Sequence, residues 1–75
     1  VMFDIDEINK AIQHAEHFET GEFTDAEVLL LYRYYLHLLT ITSRVKGLEC
    51  ISLYACVHYR TYQDILRARG LEVLQ

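Results

Sequence analysis

The sequence predicts an all-α fold, a three-helix bundle in a single domain, on three observations. Proline is absent from its 75 residues, each of the three glycines closes a run with helical periodicity, and two segments carry the grammar of a helix start. A chain of this length has room for one small core. With 52% hydrophobic residues, 24% charged residues and a net charge of -4, it lies outside the compositional range of disordered chains.

Helix 1 is expected over residues 5–20. In Phe3-Asp4-Ile5-Asp6-Glu7-Ile8, Asp4 is placed to cap the Glu7 amide while the Glu7 side chain reaches back. Phe3 and Ile8 stand at the two positions of a hydrophobic staple. At about 100° per residue, Ile5, Ile8, Ala11, Ile12, Ala15 and Phe18 share one face. Gly21 ends the run, and the link Gly21-Glu22-Phe23 is short enough to fold the next helix back antiparallel.

Helix 2, residues 25–46, opens on a second capping box, Phe23-Thr24-Asp25-Ala26-Glu27-Val28, with Thr24 as cap and Glu27 as its reciprocal partner. Its only polar stripe is Arg33, His37, Thr40 and Arg44; most of the remaining circumference is Val, Leu, Ile or Tyr. Three explanations compete for that surplus: the central element of a tight bundle, a homodimer that buries the spare face, or a membrane span. A span needs about 20 apolar residues, whereas the run from Val28 to Leu39 is shorter and contains Arg33 and His37. A secretory signal is not expected either, since the first residues are acidic and already helical. A homodimer through helix 2, with help from helix 3, is the preferred reading, because a chain this small gains stability from company.

Gly47 marks a turn into helix 3, residues 49–69. Thr40, Thr42 and Ser43 are mediocre helix formers and leave open an end of helix 2 before Arg44. One long rod through Gly47 would cost about 1 kcal/mol relative to alanine, so the hairpin is preferred. Helix 3 is expected to bury Ile51, Tyr54, Ala55, His58, Tyr62 and Ile65. It is expected to show Glu49, Ser52, Arg60, Gln63, Asp64 and Arg67 to solvent. Gly70 ends it, and a short tail follows from Leu71.

Charge is segregated. Residues 1–27 hold eight acids against Lys10, a net of -7, and residues 28–75 hold six bases against three acids, a net of +3. Complementation of helix dipoles accounts for Asp6, Glu7, Asp25, Glu27, Arg67 and Arg69. The remainder gives an acidic and a basic edge suited to steering a charged partner.

No catalytic constellation is legible, and an enzyme, a cofactor or a metal site is not expected. Ser43 and Ser52 lack a nucleophile-elbow context. His14 and His17 share a helix face without a third ligand and read as solvated; His58 reads as a core histidine. Cys50, near the core edge, and Cys56, near the solvent face, lie about 240° apart around one helix and cannot bridge. Free thiols suit a reducing, cytoplasmic setting.

The segments Tyr32-Arg33-Tyr34-Tyr35 and His58-Tyr59-Arg60-Thr61-Tyr62 combine the residue types that dominate protein–protein hot spots. They point to a small regulatory adaptor or inhibitor that binds another protein, such as a transcription regulator. The expected contact residues are Tyr32, Arg33, Tyr35, His37, Tyr59 and Arg60. The alternatives are nucleic-acid binding through Arg33, Arg44, Lys46, Arg60, Arg67 and Arg69, or a bare oligomerisation module. Within residues 23–38, the capping box followed by Leu31-Tyr32 and His37-Leu38 resembles the central helix of the Hha-type haemolysin-expression modulators. The resemblance implies a small all-helical protein that acts by binding a nucleoid protein. It departs at Leu36, where that family usually has an acid, in the acidic helix 1 and throughout the C-terminal third.

Overall fold

The computed structural model describes residues 3–17 and 23–71, and every regular element among them is a helix. These are α1 (Ile5–His17), α2 (Asp25–Thr42) and α3 (Glu49–Ala68). The expected packing of Phe18, the helix end at Gly21 and the tail beyond Leu71 lie outside the described residues.

Both predicted helix starts place a capping side chain, and at α2 the reciprocal half of the box is present as well. Asp4 Oδ1 accepts the amides of Asp6 (3.0 Å) and Glu7 (3.3 Å). At α2, Thr24 Oγ1 accepts the Glu27 amide and Glu27 Oε1 accepts the Thr24 amide, both at 3.1 Å, completing the capping box. A cap of this kind is worth about 1 kcal/mol. Phe3 does more than close the first turn: its ring lies 6.1 Å from Tyr34 and 5.5 Å from His37, against α2.

α2 ends at Thr42, short of the expected residue 46. The reason is local. Thr40 donates its hydroxyl to the Leu36 carbonyl (2.9 Å), Thr42 to Leu38 (2.8 Å) and Ser43 to Thr40 (3.1 Å). Such back-bonding competes with continuation of the helix. The chain then turns through Gly47 at φ 97°, giving the hairpin and not the rod. α3 closes with Gly70 at φ 73°; Leu71 donates to the Leu66 carbonyl (2.9 Å) and Gly70 to that of Arg67 (3.0 Å). That double bond is a Schellman stop, and Leu71 packs back on the core as such a stop favours.

α2 is the central element. Val28, Leu31, Tyr32 and Tyr35 on it meet Ala55, Tyr62 and Leu66 of α3, with Ile8 and Ala11 from α1 and Phe23 from the link. Leu29, Leu30, Tyr34, Leu36, Leu38 and Leu39 are partly buried against this core, so two neighbours take up most of the surplus on α2. Arg69 reaches back to Asp25 at 2.7 Å and ties the end of α3 to the start of α2. Asp25 is well exposed, so the pair adds at most about 1 kcal/mol.

The inward face of α3 departs from expectation. Ala55, Tyr62 and Leu66 are buried, whereas Ile51 and Tyr54 are exposed. Relative to the predicted face the helix is rotated by about 60°, at 100° per residue. Cys50 is accordingly exposed and Cys56 half-buried, the reverse of the predicted order. The N-terminal half of α3 is apolar nearly all round (Ile51, Leu53, Tyr54, Val57), so periodicity there cannot set the rotation. The C-terminal half sets it, through Tyr62 and Leu66.

Candidate functional site

The six residues expected to form one contact surface are divided by the fold. Tyr32 is 1% exposed and Tyr35 3% exposed, so both are core residues and not contact residues, a correction to the sequence reading. Tyr35 is the hub of an aromatic cluster. Its ring stacks on His58 (4.8 Å between centroids) and Tyr62 (5.8 Å), with Tyr34 edge-on at 5.1 Å. Burial drives its hydroxyl far above the ordinary tyrosine range, and a hydrogen bond with Tyr54 adds to the effect. Tyr32 stacks on half-buried Tyr59 at 5.2 Å; burial, then a hydrogen bond with Tyr59, raises its ionisation too. A tyrosine offers a large apolar body with one polar tip, and here each tip meets a tyrosine at the edge of the core, Tyr54 or Tyr59.

The charged members separate. Arg33 and His37 are exposed on the side of α2 turned away from α3, while Arg60 is exposed on the side of α3 turned away from α2. The bases named for nucleic-acid binding spread likewise: Arg33 lines a groove beside α1, Arg44 and Lys46 occupy the hairpin turn, and Arg69 is paired at the opposite end.

His14, expected to be solvated, is half-buried: its Nδ1 lies 2.7 Å from Glu27 Oε2 and its ring stands edge-on to Phe23 at 4.9 Å. Glu27 thus serves the α2 cap and the α1–α2 contact together. Burial pushes its carboxyl up, but hydrogen bonds from His14 and from the Thr24 amide and hydroxyl outweigh that and hold it below the ordinary carboxylate value. The resulting stability is complete above the unfolded-state value and is lost as pH falls through the lower folded-state value. Glu27→Gln is expected to cost about 1 kcal/mol near neutral pH and progressively less in acid. Urea unfolding of both proteins across pH checks this; a difference that is flat with pH contradicts it.

Helix length explains where the molecule is left uncovered. α1 has 13 residues, α2 has 18 and α3 has 20. At about 1.5 Å per residue, α1 falls short of the hairpin by one to two turns. Phe3, just before its first turn, meets α2 at Tyr34 and His37. Beyond it the stripe Tyr34, Leu38, Ile41, Val45 runs on toward the turn, beside Ile51 and Tyr54 of α3. Ile41, Val45, Ile51 and Tyr54 are each about half exposed, and Leu53 (67%) and Val57 (56%) extend the patch outward along α3. Single exposed apolar residues are ordinary; here six of the seven large ones exposed among the described residues fall within residues 41–57, the seventh being Ile5 (72%). Sequence periodicity missed this patch because it had assigned Ile51 and Tyr54 to the core.

Two grooves open on the surface. One, of about 840 Å³, runs between α1 and the first half of α2, with an apolar floor that includes Leu29 and Leu30 and with Asp4, Glu7 and Glu27 against Lys10 and Arg33 as charged lining. The other, of about 650 Å³, lies at the hairpin turn with Arg44, Lys46, Glu49, Ser52 and Cys56 in its wall. Among the described residues, no three His, Cys, Asp or Glu side chains gather to hold a metal, and no helix is long and apolar enough to cross a membrane. Compared with protein-family models, curated proteins and solved structures, the chain matches none. The likeness of residues 23–38 to haemolysin-expression modulators therefore stays local, and much of it is the capping box itself.

Proposed function

We propose that this chain is a small non-catalytic regulatory protein that works as a homodimer and binds another protein, as adaptor or inhibitor, such as a transcription regulator. The observation that supports the reading is the uncovered end of the hairpin, where Ile41, Val45, Ile51, Leu53, Tyr54 and Val57 stand in solvent. A second copy of the chain removes that surface from water and adds to a core that is small for its length. The α1–α2 groove is then the face left for the regulated protein. Its apolar floor with Asp4 and Glu7 against Lys10 and Arg33 suits an amphipathic helix carrying both signs of charge. Free thiols at Cys50 and Cys56 fit a reducing compartment such as the cytoplasm.

The test is Ile41→Glu combined with Val57→Glu. Both positions are exposed, so the fold tolerates the change, while two buried charges per copy oppose association. Light scattering on the eluting protein is expected to give half the wild-type mass, with helical circular dichroism unchanged. A variant that keeps the wild-type dimeric mass would overturn the reading.

A further inference from the structure

We infer that the second copy docks in a two-fold, self-complementary arrangement in which the Arg44–Lys46 turn of each copy lies against the acidic first turn of α1 of the other. This rests on the homodimer reading above and adds its geometry. The patch has two borders of opposite sign. On one side α1 begins, with Asp4, Asp6 and Glu7 within its first turn and Phe3 seated on Tyr34 and His37. On the other side the hairpin turns, with exposed Arg44 and Lys46. Ile41, Val45, Ile51 and Tyr54 lie between.

A two-fold interface sets the same patch against itself, and when the axis lies across the line from its acidic to its basic border, each border meets the opposite one in the partner. A half-turn about such an axis therefore brings acid to base twice. An arrangement of the two copies side by side and pointing the same way would bring acid to acid and base to base. Like charges so placed oppose binding, and opposite ones select the register and speed the encounter.

The other charged groups nearby reduce this contrast without reversing it: Glu49 shares its groove with Arg44 and Lys46, and Lys10 and Arg33 share theirs with Asp4, Glu7 and Glu27. Asp4 spends its carboxylate on the amides of Asp6 and Glu7, so Asp6 and Glu7 carry the acidic side. Glu49, the acid nearest the basic turn, accepts the Gly47 amide at 3.2 Å and lines the groove with Ser52 and Cys56. Lys10 and Arg33 line the α1–α2 groove. His37 lies against Phe3, and His58 sits between Tyr35 and Tyr54.

The experiment is a charge exchange read by sedimentation. R44E/K46E and D6K/E7K are each expected to weaken dimerisation by more than about tenfold. Mixed in equal amounts they are expected to form a heterodimer, because both contacts are then again acid to base. Either variant dimerising as tightly as wild type, or a mixture that stays monomeric, overturns the proposed register. A monomeric wild type overturns instead the homodimer reading on which it stands. Should lysines in the first turn of α1 reduce helicity, D6N/E7Q tests the same contact. It is expected to weaken the dimer several-fold, and no weakening would overturn the pairing.

Discussion

Tyr35→Ala is expected to destabilise the fold by about 3–5 kcal/mol, the range for removing a large aromatic side chain from a core. The ring is 3% exposed and meets His58, Tyr62 and Tyr34, so nothing small can refill the space. Folded chains of this size have only about 5–15 kcal/mol in hand, and the variant should show a much lower urea midpoint and reduced helicity on warming. Tyr35→Phe keeps the ring and loses only the hydrogen bond with Tyr54, at about 1 kcal/mol. Arg33→Ala, two positions away and exposed, should stay within about 0.5 kcal/mol of wild type. A Tyr35→Ala protein as stable as Tyr35→Phe would contradict the burial of this residue.

Leu66→Ala is expected to cost about 2–5 kcal/mol, because its side chain is wholly buried; the backbone carbonyl that closes the α3 stop is kept by alanine. Ile51→Ala, examined in the Ile41→Glu/Val57→Glu background, should cost under about 1 kcal/mol, since its side chain is half in water. The pair of values reports the rotation of α3. Equal costs, or a larger cost at Ile51, would place the inward face where periodicity alone had put it.

What could be read in the sequence was local chemistry. Asp4 and Thr24 cap as their spacing implies, and Gly47 and Gly70 take the left-handed backbone that a helix end requires. Amphipathic α1 also announced its face, through Ile8 and Ala11, but not at Ile5, which was assigned to that face and is 72% exposed at the helix start. The rotation of α3 was hidden because apart from Glu49 and Ser52 its first two turns are apolar. Tyr32 and Tyr35 were hidden because tyrosine serves cores and interfaces equally well, and only a partner such as Tyr59, Tyr62 or His58 decides between them. The His14–Glu27 contact joins residues 13 positions apart on two helices, a pairing no single-helix pattern encodes.

The misread stripe is informative. Ile51, Tyr54, His58 and Ile65 form one line on α3, more deeply buried at His58 and Ile65 and about half exposed at Ile51 and Tyr54. On the proposed reading the second copy completes it.

Sedimentation equilibrium of the wild-type chain tests that claim most directly. A homodimer predicts a mass twice the 8.9 kDa of one chain across the micromolar range. A single species of 8.9 kDa throughout that range would contradict it.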